Sequence, residues 1–92
     1  MLSERRREGG LRWSFDKEHD IFWAYTKSGR ADTDELAEDI FVEFDENGNV
    51  IGVEIHQASK VLGEYWKDPE GAALRALEIA KRLVAYREIT VR

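Results

Sequence analysis

From Leu11 onward the chain alternates, with Leu11, Trp13 and Phe15 apolar and Arg12 and Ser14 polar. A period of two is the pattern of a half-buried β-strand. A polar turn follows, Asp16-Lys17-Glu18-His19-Asp20, and then Ile21-Phe22-Trp23-Ala24-Tyr25-Thr26 is apolar on both faces, which predicts a central strand. Residues 27–38 read as a loop holding Gly29 and the acids Asp32, Asp34, Glu35 and Glu38. The loop is long enough for a turn of helix over 33–37, capped by Asp32 or Thr33. Ile40–Phe44 and 50–55 then flank Asn47-Gly48, the strongest short-range signal for a hairpin with a type I′ turn. That turn pairs Phe44 with Ile51, Val42 with Val53 and Ile40 with Ile55, all apolar on apolar. The opposite face receives Asp39 against His56, Phe41 against Glu54, and Glu43 against Gly52. A slip of one residue sets Val42 against Gly52, so the pattern itself selects the register.

Residues 57–62 are helical or irregular, and Gly63 ends them. Asp68-Pro69-Glu70 announces a helix: an N-cap, a proline at the first helical position, and an acid in the first turn. The helix is predicted over 69–87. Ala73, Leu77, Ala80 and Val84 make its apolar stripe, flanked by Ala76 and Leu83 and widened by Ala72, Ile79 and Tyr86. Glu78 and Arg82 form an i,i+4 pair on the polar side. Ile89 and Val91 read as a final edge strand or a tail. The first ten residues have no apolar period and read as a disordered arm, whose Arg5-Arg6-Arg7 is too short for a nucleic-acid tail. The expectation is one α+β domain over 11–92. It consists of a four-stranded antiparallel β-meander of two hairpins (11–56), covered on one face by a C-terminal α-helix.

Composition narrows this further. With 92 residues the chain is too short for two independent cores. It has no cysteine, which excludes disulfides, zinc-thiolate sites, iron–sulfur clusters and cysteine nucleophiles together. No apolar run approaches the ~18–20 residues of a membrane span, and no apolar segment follows the arginines as in a signal peptide. No membrane role and a cytoplasmic location are therefore expected. The net charge of −5 conceals a segregation, because residues 16–56 alone carry −9 while both flanks are positive. An acidic middle repels phosphate, so nucleic acid is not an expected partner. It is either a solvated sheet face or a docking surface for a basic protein, with charge steering the encounter.

Candidate chemistry is sparse. No serine lies in a Gly-x-Ser-x-Gly elbow, only His19 and His56 could serve as bases, and no phosphate loop occurs. An enzyme is not expected, nor a cofactor. Asp16, Glu18 and Asp20 stand at the 1-3-5 spacing of a calcium loop, but Ile21 replaces the glycine at six and Lys27 the glutamate at twelve. Asp45-x-Asn47-x-Asn49 fails in the same way. These oxygens fit Asx turns better than a metal shell. Asp39, Glu54 and His56 could ligate a transition metal, or Asp39 and His56 could simply form a cross-strand Asp–His pair. No metal site is predicted; Asp16, Glu18, Asp20, Asp39, Glu54 and His56 are the candidates for weak cation binding. The many aromatics belong to the core, or mark a protein interface if they lie on the uncovered face. A partner or a second copy is expected to dock on Ile79, Leu83, Tyr86, Phe22 and Phe41. A homodimer is expected, with a monomer as the competing outcome if 64–68 wraps Tyr65 and Trp66 over the same surface.

Two stretches carry a resemblance. The first is Phe15-Asp16-Lys17-Glu18-His19-Asp20-Ile21-Phe22-Trp23. The second runs from Ile40 through Asp45-Glu46-Asn47-Gly48-Asn49 to Ile55, with Ala58-Ser59 following. Over about residues 12–60 the chain resembles a small prokaryotic family known only as a domain of unknown function, numbered 2283. Its members open with an aromatic-Asp-x-Glu-x-Asp hairpin and often carry Ala-Ser after the second one. Phe44 and His19 depart from the residues common there, and the long C-terminal helix is not a family constant. The family brings no catalytic residues. Some members are encoded beside small toxin-like proteins, so the resemblance implies an antitoxin-type partner role. The expected function is an uncharacterised protein-binding module, antitoxin-like or regulatory, that docks a basic partner. The alternative is a weak divalent-cation-binding protein or small enzyme.

Overall fold

The computed structural model describes residues 2–6 and 10–90, with side chains over 10–88. The strands are β1 (Leu2–Arg6), β2 (Arg12–Asp16), β3 (Ile21–Tyr25), β4 (Asp32–Ala37), β5 (Ile40–Phe44) and β6 (Val50–His56). Two helices follow, α1 (Ala58–Leu62) and α2 (Pro69–Thr90), separated by a single 3₁₀ turn at Tyr65–Lys67. The architecture is α+β with an antiparallel sheet and a C-terminal helix, as the hydrophobic pattern predicts. The strand count and order differ.

Five strands, not four, lie between Arg12 and His56, and β1 adds to their edge to give the order β1-β2-β3-β6-β5-β4. The simple meander is therefore corrected: β3 pairs with β6, and the chain reaches β6 only after passing through β4 and β5. The extra strand is β4, where a loop with a helical turn was expected. Its acids are poor strand formers, but β5 has a second edge to satisfy, and pairing Asp34 with Val42 and Ala37 with Ile40 does so. A bulge between Glu35 and Ala37 breaks its alternation, which is why no period of two shows in the sequence. Leu2–Arg6, within the stretch read as a disordered arm, pairs antiparallel with β2 through a backbone ladder that requires no apolar period.

The second hairpin keeps most of its predicted register, with Val42 opposite Val53 and Ile40 opposite Ile55. Its turn differs. Asp45 Oδ1 accepts the Asn47 and Asn49 N–H groups, both at 2.9 Å, and Gly48 N–H donates to the Asp45 carbonyl at 3.0 Å. Only Gly48 has positive φ (+81°), whereas a type I′ turn needs it at Asn47 too. The connection is thus a five-residue loop, and Phe44 faces Val50 rather than Ile51. The bulge turns Ile51 out of the core cluster, to line a cleft on the other face.

One sheet face is covered. Trp13, Phe22, Ala24, Ile40, Val42, Phe44, Val53 and Ile55 pack beneath Leu62, Tyr65 and the α2 stripe Ala72, Ala73, Ala76, Leu77 and Ala80. Four alanines in that stripe let the helix lie close to the sheet. Asp68 caps α2 through Gly71 N–H at 3.1 Å, as predicted, and the helix runs on to Thr90 where a final strand at Ile89 had been an option. Val91 lies outside the described residues. No helix among the described residues is long and apolar enough to cross a membrane.

Candidate functional site

The acidic turn between β2 and β3 splits into two parts that do not converge. Asp16 Oδ2 lies 2.6 Å from His19 Nδ1, and its Oδ1 accepts the His19 N–H at 3.2 Å. This pairing lowers the Asp16 pKa and raises that of His19, each chiefly through the shared side-chain hydrogen bond. The pair is solvent-screened and contributes little to stability. Glu18 is exposed.

Asp20 turns the other way, in the left-handed region at φ 58°. Its Oδ1 accepts the Ser59 N–H at 3.0 Å and the Tyr65 hydroxyl at 2.9 Å, and its Oδ2 accepts the Ser59 hydroxyl at 2.6 Å. Its carbonyl takes the Ala58 N–H at 2.8 Å. Asp20 therefore caps the first turn of α1 from a distant hairpin, the role a local N-cap side chain ordinarily fills. Burial, then the bond to Asp20, pushes the Tyr65 hydroxyl pKa upward, so it stays a neutral donor. Among the described residues, no three histidine, aspartate or glutamate side chains gather in a way that could hold a metal ion.

On the uncovered sheet face, Glu54 joins two neighbours. Its Oε1 accepts from Trp23 Nε1 at 2.9 Å, and its Oε2 lies 2.5 Å from His56 Nε2. A carboxylate only accepts, so Nε2 carries the proton and Glu54 fixes the orientation of the imidazole. The Phe41 ring sits 5.1 Å from that of His56. Asp39, grouped with these residues on sequence, accepts the His56 N–H through its carbonyl at 2.8 Å, but its carboxylate turns to Gln57 Nε2 at 3.1 Å. The predicted trio is thus a pair plus a neighbour, beside a cleft of about 220 Å³ lined by Asp39, His56, Gln57 and Lys60.

A larger cleft on the same face, about 500 Å³, is lined by Trp23, Tyr25, Ile51, Glu43 and the loop from Lys27 to Arg30. Its cations are engaged: Lys27 with Asp45 at 3.1 Å, and Arg30 with Glu43 at 3.6 Å. A Cβ on Gly52 would lie 2.7 Å from Glu43 Oε1 and 3.1 Å from Tyr25 Cβ, so the glycine lets both side chains close over the strand. Sequence reasoning missed this cleft because it assigned Ile51 to the core. The signal available was Trp23 and Tyr25 alternating with Phe22 and Ala24 on a strand apolar on both faces.

The third feature is the rim formed by β4. Asp34 meets Arg87 of α2 at 3.2 Å, and a groove of about 410 Å³ runs between them, lined also by Glu35, Leu36, Leu83 and Tyr86. The expected interface residues fall in three places. Ile79 and Leu83 pack partly against the core, and Tyr86 is 67% exposed at the groove. Phe41 lies on the opposite sheet face from α2. Phe22 is corrected: it is wholly buried between Phe15 and Tyr65 and offers a partner no surface.

A small antiparallel sheet, covered on one side by helices and laced at one end by an aspartate-to-helix cap, is the class this geometry defines. Residues 12–59 match the family described as Protein of unknown function (DUF2283), and the chain belongs to it. An uncharacterised protein of Methanocaldococcus jannaschii is 38% identical over 47 residues, which is 51% of this chain and 40% of that relative. The chain thus aligns with less than half of the relative's length. No solved structure matches. The matched stretch contains Asp20 and Ala58-Ser59, so the residues that carry the resemblance include those that tie the first hairpin to α1.

Proposed function

We propose that the protein is a docking module for a basic protein partner, in a regulatory or antitoxin-like role. One observation carries this reading: Asp32, Asp34, Glu35, Glu38 and Asp39 are set along one rim of the sheet, on and just after an edge strand. Carboxylates aligned on a rim steer a positively charged partner and fix its orientation. Asp34 and Asp39 of this rim also hold Arg87 and Gln57, while Asp16, Asp20 and Asp45 serve their own turns, Lys27 or α1, which supports an architectural role for those three. The test compares the wild type with a rim-neutralised variant (Asp32→Asn, Asp34→Asn, Glu35→Gln, Glu38→Gln) as baits. A basic protein retained only by the wild type should, once purified, bind it with salt-sensitive affinity and bind the variant about tenfold or more weakly. Partners indifferent to neutralisation would remove the reading.

A second reading, a weak divalent-cation site or small enzyme, is favoured by the oriented Glu54–His56 pair beside its cleft. On the docking reading, zinc, manganese or calcium at about 1 mM raises the melting temperature by no more than about a degree or two. A larger rise that vanishes in His56→Ala would favour the second reading.

A further inference from the structure

Among the described residues, β4 ends the sheet opposite β1 and pairs on one side only, with β5. Its outer side is an edge of the kind to which another strand can add through main-chain hydrogen bonds. Next to that edge lies the groove between β4 and the last turns of α2, where Leu36, Leu83 and Tyr86 supply apolar surface, Asp34 is paired with Arg87, and Glu35 supplies a further negative charge. The pleat relates the two features. Asp34 stands opposite Val42, on the helix-covered side. A strand laid outside β4 therefore sends alternate side chains toward the groove and the rest toward the uncovered face. A second copy entering through its own β4 would set this acidic strand against itself, which disfavours it as the occupant.

We infer that β4 and the adjoining groove form a strand-addition site for an extended basic segment of a partner protein, one that alternates lysine or arginine with apolar residues. The inference rests on the docking reading and deepens it by naming the edge and the conformation of what binds there. The apolar residues enter beneath Tyr86 on the helix-covered side, the cations on the uncovered side meet Glu35, which stands opposite Phe41, and the main chain extends the sheet.

The experiment is a titration of the isotope-labelled full chain, followed by amide NMR, with a peptide of about eight residues alternating lysine with leucine or valine, long enough to span an ordinary strand. Shifts should be confined to residues 32–39 and 83–87, with the amides of β4 becoming protected from exchange. Tyr86→Ala, exposed and so tolerated by the fold, should weaken binding about tenfold, the scale of one lost anchor. A peptide N-methylated at alternate amides, or with glutamate for lysine, should not bind. If the peptide shifts Trp23, Tyr25 and Phe41 and tolerates N-methylation, the docking reading survives and strand addition is wrong. No binding at about 1 mM, the weak end of measurable affinity, also overturns strand addition and leaves the docking reading to its own bait test. Concentration-dependent broadening of β1 and β4 without peptide would make a second copy the occupant and overturn the proposal.

Discussion

Asp20 shows how much one side chain decides here. It accepts three hydrogen bonds through its carboxylate, from Ser59 N–H, the Ser59 hydroxyl and the Tyr65 hydroxyl. Asparagine tolerates the same left-handed backbone but turns an NH₂ toward donors. Asp20→Asn should therefore lower stability by on the order of 1–3 kcal/mol, read from urea midpoints, because an acceptor is lost for the exposed Ser59 donors or for the hydroxyl of the buried Tyr65. An unchanged midpoint would mean that α1 is held by packing alone. Asp45 is the second case. Its pKa is lowered from 3.8 to about 2, first by the Asn49 N–H, then by Lys27 and the Asn47 N–H. A depressed acid contributes stability that is complete above its unfolded pKa and disappears as pH falls through the folded one. The stability difference between the wild type and Asp45→Asn should therefore be constant above about pH 5 and shrink from pH 4 toward 2. Parallel acid-unfolding curves would contradict that assignment.

At the level of elements, the second hairpin was legible and its turn was not. Asn47-Gly48 announces a reversal, but Asp45, two positions earlier, decides its type by accepting both loop N–H groups. Gly48 still bears the positive φ of +81°. Gly48→Val should cost on the order of 1–3 kcal/mol, because a β-branched residue is strained there. An unshifted urea midpoint would mean the loop remodels freely. Helix α2 was readable because cap, proline and stripe agree, and the same alanines and Leu77 are the residues buried. β4 was hidden, since neither its acids nor its bulged alternation resembles a strand, and only the unpaired edge of β5 calls for one. In the site, the expected cross-strand pair of Asp39 with His56 did not form, because the Asp39 carboxylate turned to Gln57; His56 pairs instead with Glu54, two positions away on the same strand. The groove at Tyr86 needed the three-dimensional meeting of β4 and α2, which no local pattern encodes.

For the molecule as a whole, the family match ends at residue 59, before the helix that covers the sheet. Truncation after Lys67 would bare Trp13, Ala24 and Val53, and such a chain should lose cooperative thermal unfolding; a retained sharp transition would show the sheet to be self-sufficient. The pairing of β3 with β6 has a further consequence, in time rather than in space. Each hairpin joins near neighbours, but this seam joins Trp23 to Glu54, 31 positions apart. Local pairs close quickly, while a distant one must first meet the entropy of its loop. The local strand pairs on either side should therefore form and dissolve repeatedly before the seam sets, and α2 has no complete face to land on until then. Val53→Ala, buried in the seam, should mainly slow folding in stopped-flow chevrons and leave the unfolding limb little changed. If the loss appeared only as faster unfolding, the seam would close after the barrier, and the order of events would run from helix to sheet.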